Sequence, residues 1–220
     1  MRGVESRISV GVDRETSRRN FLKTAAWSGA ALSAAGIGGF GVAVRRADAQ
    51  AKEYKTYQGL GDAAILQFAY LLEQLEGIFY DKGVNAGLFA DDFLAQIAAI
   101  RDHEFAHADA LAATIEDLGA EVPAVPTFTY PPGTFTDVVA FLELAATFEP
   151  VGIGAYQGAA PALQSKDILA AAISIHNTEC QHRAAINVLN LIVPPNDVAF
   201  EEALPLADVQ AAVEPFGITG

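Results

Sequence analysis

Two Glu-x-x-His pairs, Glu104 with His107 and Glu179 with His182, constrain this chain more than any other feature. Each pair follows an earlier Glu that has a Tyr seven residues beyond it: Glu73 with Tyr80, and Glu149 with Tyr156. The separation from Glu73 to Glu104 is 31 residues, and from Glu149 to Glu179 it is 30. Seven residues make two helical turns and three make just under one, so on helices each Tyr and each His shares a face with its Glu. The pattern therefore occurs twice, and its repeated members are acids, imidazoles and phenols set in apolar, Ala-rich surroundings. All four histidines fall in "RDHEFAHADA" (101–110) and "SIHNTECQHRAA" (174–185).

The segments carrying these residues show helical periodicity with little β-branched alternation. They run over about 60–83, 90–119, 136–160 and 166–192, the first stopping at Gly83 and the last before Pro194 and Pro195. Asp91 and Asp92 fall in the first turn of the second, where the helix dipole favours acids. Short connections make antiparallel hairpins of the first and last pairs. The middle connection, "AEVPAVPTFTYPPGTF" (120–135), is long and proline-rich. Extended at about 3.3 Å per residue, it runs most of a helix's length and lets helices two and three lie parallel. The expected fold is all-α: a four-helix bundle over 60–193 with a long middle crossover. A tail, 194–220, packs on its outside and adds a short helix near 207–214.

Four carboxylates and two imidazoles turned into such a bundle can hold two divalent metals, with carboxylates bridging. The ions offset a charge that apolar walls cannot solvate. Mixed nitrogen and oxygen donors suit iron or manganese. The expected ligands are Glu73, Glu104, His107, Glu149, Glu179 and His182. Glu76, one turn from Glu73, is the alternative on the first helix; the repeat sets it opposite Gly152, which favours Glu73. Tyr80 and Tyr156 are either packing aromatics or hydrogen-bond donors and redox-active rings beside the metals. His103 and His176 align with Thr178 and Arg101, so they stand outside the ligand set, behind it or at the surface. Cys180 is the lone cysteine; it excludes an intrachain disulfide and reads as a small buried residue. Glu149 is followed by Pro150, Gly152, Gly154, Gly158 and Pro161, so the third helix is expected to be kinked or broken at the ligand.

The first fifty residues differ in character. Ser17, Arg18, Arg19, Phe21, Leu22 and Lys23 resemble the twin-arginine export signal; a charge-free apolar run (24–44) follows, then "RRADAQ" (45–50) with a small-x-small site ending at Ala49. The expectation is a cleaved signal over 1–49, with an uncleaved membrane anchor as the alternative because the apolar run is about long enough to span, then a linker over 50–59, and a periplasmic or extracellular protein with no stable membrane insertion after cleavage. Without residues 1–49 the chain keeps six Lys/Arg against 23 Asp/Glu, a net charge of −17 compared with −13 for the whole chain. Such acidity argues against nucleic acid as a partner, since counterion release by Lys and Arg supplies most of that affinity.

Four stretches carry a family resemblance: "LLEQLEGIFY" (71–80), "HEFAH" (103–107), "FEPVGIGAYQGAAP" (148–161) and "HNTECQH" (176–182). Over residues 60–192 the chain resembles the ferritin-like superfamily, and within it the exported bacterial proteins related to plant desiccation-related proteins. The resemblance implies two iron or manganese ions and a ferroxidase or a peroxide- or oxygen-handling oxidoreductase. It is also compatible with a non-enzymatic envelope or matrix protein serving stress or desiccation protection, and with an oligomer.

Overall fold

A computed structural model describes residues 57–219. The export signal, its cleavage site and residues 50–56 of the expected linker lie outside the described residues. Five α-helices and no strands make up the described fold: α1 (Asp62–Asn85), α2 (Asp91–Asp117), α3 (Val138–Ala159), α4 (Lys166–Leu189) and α5 (Leu206–Val213). Asp137 caps α3 by accepting from the backbone N–H of Val139 and Ala140 at 2.7 and 3.1 Å. Gly119, at φ +73°, ends α2 in the left-handed conformation that costs glycine nothing.

Side-chain contacts fix the helix directions. Tyr80 of α1 meets Glu149 of α3, and Tyr156 of α3 meets Glu73 of α1, so α1 and α3 run antiparallel. His107 of α2 meets Glu73, across the α1–α2 hairpin. Asn190, at the end of α4, donates to the carbonyl of Leu142 near the start of α3 at 3.2 Å, which makes that pair antiparallel too. Helices α2 and α3 are therefore parallel, as the long crossover allows. The crossover lies along α1: Gln67 donates to the Glu121 carbonyl at 2.7 Å and Tyr130 to the Leu75 carbonyl at 3.0 Å.

Two apolar clusters fill the bundle at different heights. One contains Phe79, Ile97, Ile100, Phe141, Phe148 and Ile186, with Phe79 stacked on Phe141 at 4.3 Å. The other contains Leu66, Tyr70, Ala108, Leu111, Ile115 and Ile168. Burying each Leu, Ile or Phe among them is worth about 1.5–3 kcal/mol. Between the two lie buried acids and a buried histidine, and that layer is the site.

Four expectations need correction. Gly83 does not stop α1, which continues to Asn85; a Cβ there would stand 2.2 Å from the Phe141 ring, so the glycine serves close helix packing. Helix α3 is not broken at Pro150: it is continuous from Val138 to Ala159, although proline removes the helical partner of the Ala146 carbonyl. Its glycines are explained by close approach instead. A Cβ on Gly158 would meet the Leu204 carbonyl at 2.1 Å, and one on Gly154 the Leu204 side chain at 2.5 Å. The tail that crowds them does more than coat the outside, since Val209, Val213, Phe216 and Ile218 belong to the main apolar cluster. Finally, Tyr57, at the end of the expected linker, is 2% exposed and packs with Ile65 and Ala159.

Candidate metal centre

Helical spacing turns one acid or histidine after another toward the bundle axis at a single level. Glu73 and Glu76 come from α1, Glu104 and His107 from α2, Glu149 from α3, and Glu179 and His182 from α4. All are buried except His107, which is half-buried; Glu104 and Glu149 are fully enclosed. The six residues expected from the sequence thus come together, and Glu76 joins them.

Both histidines turn Nδ1 toward the acids. His107 Nδ1 lies 3.1 Å from Glu73 Oε2, 3.1 Å from Glu179 Oε1 and 3.5 Å from Glu104 Oε2. His182 Nδ1 lies 2.8 Å from Glu104 Oε1, 3.7 Å from Glu179 Oε2 and 3.9 Å from Glu149 Oε2. Glu104 and Glu179 therefore each offer one oxygen to either histidine, while Glu73 and Glu149 stand at the two ends. Three groups have ligand atoms close enough to share an ion: Glu73, Glu104, His107 and Glu179; Glu104, Glu149 and His182; and Glu76, Glu149 and Glu179.

The donor set fits a metal on a direct observation. Glu76 Oε2, both oxygens of Glu104, Glu149 Oε2, Glu179 Oε1 and His182 Nδ1 are buried atoms without an aligned hydrogen-bond partner. Buried polar atoms are nearly always satisfied, and an unsatisfied one costs about 1–3 kcal/mol. Six in one layer, all oxygen or imidazole nitrogen, are what a pair of hard or borderline divalent cations would satisfy.

The electrostatics of the metal-free layer follow from the same crowding. Burial, reinforced by neighbouring acids, pushes Glu76 and Glu104 well above the usual carboxylate range and Glu149 up to about 8. Burial acts upward on Glu179 as well, but the His107 and His182 imidazoles beside it outweigh it and hold that carboxyl low. For His107 burial acts downward, yet the carboxylates of Glu104, Glu179 and Glu73 around it raise it to about 11. His182 is raised for the same kind of reason, chiefly by Glu179 and Glu149. Part of the layer is thus protonated at neutral pH, and cations would replace those protons.

Two features escaped the sequence reading. Each tyrosine hydroxyl donates across the bundle: Tyr80 to Glu149 Oε1, and Tyr156 to Glu73 Oε1. Sharing a face with its own Glu, each Tyr instead serves the other half's Glu; Tyr80 is also a packing aromatic, its ring 5.0 Å from that of Phe79. Glu73 and Glu76 both enter the layer. Glu76 fills the space where Gly152 lacks a side chain, since a Cβ there would stand 3.1 Å from Glu76 Oε1. The mismatch of Glu76 with Gly152 in the repeat was the signal for this.

The remaining candidates take lesser places. His103 is exposed, but its Nδ1 lies 3.0 Å from His182 Nε2 and the rings stack 5.2 Å apart, behind the layer. His176 does not reach the layer; its Nδ1 is 4.0 Å from the sulfur of Cys180, which is half-buried.

A family model described as a ferritin-like domain matches residues 61–191, a span that covers α1 to α4 and every acid and histidine of the layer. A comparison with curated proteins gives no match.

Proposed function

The chain belongs to the ferritin-like domain family, and from that premise we propose that it is a di-metal carboxylate protein, using two iron or manganese ions to handle dioxygen or peroxide. The observation that carries the proposal is the layer of unpartnered buried donors shared by all four bundle helices. Glu73, Glu104, Glu179 and His107 would hold one ion; Glu104, Glu179, Glu149 and His182, with Glu76 beside them, would hold the other. Glu104 and Glu179 would be the bridging carboxylates, because each already spans both histidines. A bound pair of such ions supplies electrons two at a time to an oxygen–oxygen bond.

The protein's own groups do the rest. Tyr80 and Tyr156 orient the terminal acids Glu149 and Glu73 through their hydroxyls, and burial keeps both phenols protonated. The apolar clusters on either side exclude water and strengthen every charge interaction in the layer. His103 fixes the outer nitrogen of His182, so that Nδ1 is the one presented inward.

Elemental analysis of protein incubated with Fe(II) or Mn(II) tests the metal half of the proposal, with two ions per chain expected. Oxygen or peroxide consumption by the loaded protein, lost in Glu104→Ala, tests the catalytic half. Full metal content without consumption would favour the non-enzymatic scaffold. The proposal extends to an exported protein on the strength of residues 17–49 alone. Cell fractionation of the parent and an Arg18→Lys/Arg19→Lys variant tests that part.

A further inference from the structure

Any ion that fills the acid layer has to reach it, and most approaches are blocked. Apolar clusters lie on both sides along the bundle axis. Between α1 and α2, Phe105 packs against Gly77, where a Cβ would stand 2.9 Å from its ring. Between α1 and α3 the two tyrosine hydroxyls bridge the helices. Six of the seven layer residues are at most 5% exposed. The seventh, His107, keeps 12% of its side chain exposed. It lies where α2 meets α4, and one turn before it on α2 is His103, an exposed residue whose ring stacks on that of His182.

The two α2 histidines turn the same nitrogen inward. His107 Nδ1 is 3.1 Å from both Glu73 and Glu179, and His103 Nδ1 is 3.0 Å from His182 Nε2. Their Nε2 atoms, at the other edge of each ring, have no hydrogen-bond partner among the described residues. A separation of four residues is the one at which two imidazoles on a helix face share a divalent metal. Glu104, between them in sequence, is fully enclosed in the layer and takes no part at the outer face.

We propose, on the di-metal reading of the layer, that His103 and His107 form an outer capture site for divalent transition-metal ions, which load the layer through the seam between α2 and α4. Imidazole nitrogen suits the same borderline ions as the mixed donors within. A metal-binding histidine is oriented by a carboxylate at its other nitrogen, and Glu73 and Glu179 stand there for His107. His182 stands there for His103. Two imidazoles completed by water hold an ion less firmly than the buried carboxylates do, so the outer pair gathers ions without retaining them. Transfer is short because His107 serves both places, with Nε2 outside and Nδ1 inside. The −17 charge of the chain beyond Ala49 favours cations at the mouth. Thr178 holds the repeat position of His103 on α4, so the seam has one such pair and not two.

Stopped-flow absorption of Co(II) added to the metal-free full chain gives the loading rate, and elemental analysis gives the final content. His103→Ala should load about tenfold more slowly than the parent, the low end of what local ion concentration contributes to a rate, and reach the same final content. His103→Gln should be as slow, since its amide still hydrogen-bonds His182 but is a poor ligand. Circular dichroism monitors folding, and the exposed position makes both changes mild. Parent-like rates in both variants would overturn the proposal. So would a parent-like rate in His103→Gln alone, which would leave His103 only a support for His182, or a reduced final content at unchanged rate. A parent that takes up no Co(II) would overturn the di-metal reading and the capture site together.

Discussion

The hydroxyl of Tyr80 donates to Glu149, a carboxylate 69 residues away on an antiparallel helix. Tyr156 does the same for Glu73, 83 residues away, so the two halves of the bundle are cross-linked by the same bond made twice. Removing one donor leaves a fully buried carboxylate oxygen unpaired. Tyr80→Phe should therefore lower the stability of metal-free protein by about 1–3 kcal/mol, read by urea unfolding. The loss should shrink in protein saturated with Mn(II), where Glu149 has a cation to bind. An equal loss in both forms would mean that Glu149 is not a ligand.

Glu104 gives an effect of two signs. It is fully enclosed, and burial next to Glu179 makes its charged form costly. Glu104→Gln should raise the melting temperature of metal-free protein at pH 8, because an amide carries no charge to desolvate. It should also abolish the rise in melting temperature that Mn(II) produces in the parent. Thermal melts of both proteins, with and without metal, check both halves, and a surviving metal response would count against a bridging role.

Gly152 and Gly158 separate two kinds of close contact on one helix. A Cβ at residue 158 would meet backbone, the Leu204 carbonyl at 2.1 Å, so Gly158→Ala must displace the tail and should cost about 3 kcal/mol. At residue 152 the neighbour is the movable end of Glu76 at 3.1 Å. Gly152→Ala should leave the fold nearly as stable while weakening uptake of the second metal ion, measured by calorimetric titration.

The pH dependence of the metal-free protein follows from the raised groups of the layer, of which Glu149 and His107 mark the window. Glu149, raised from 4.5 to about 8, binds its proton more tightly folded than unfolded, so its contribution falls as pH rises from 4.5 through 8. His107, raised from 6.5 to about 11, contributes stability that is fully present below 6.5 and is lost as pH rises through 11. Both slopes have the same sign. Glu179, held low, acts oppositely, but only below its ordinary value of 4.5. Metal-free protein should be most stable in mild acid, and the stabilisation by Mn(II) should grow between pH 5 and 8. Melting temperatures across that range check it, and a metal response independent of pH would contradict the proton displacement.

The sequence by itself determined which faces the helices would bury and which residues would meet there. Spacings of three and seven place Glu104 with His107, Glu179 with His182, and the two Glu–Tyr pairs, because helical geometry converts separation into direction. The length of 120–135 likewise allowed a crossover that leaves α2 and α3 parallel. Only the tertiary structure decided who bonds to whom. Tyr80 finds Glu149 rather than its own Glu73 because α1 and α3 run antiparallel, and that offset follows from packing, not from any local spacing. Glu76 enters the layer because Gly152 on a different helix has no side chain, and Gly154 and Gly158 are dictated by a tail some fifty residues onward in the chain. Periodicity is a property of one helix. Close approach belongs to two, and no single segment encodes it.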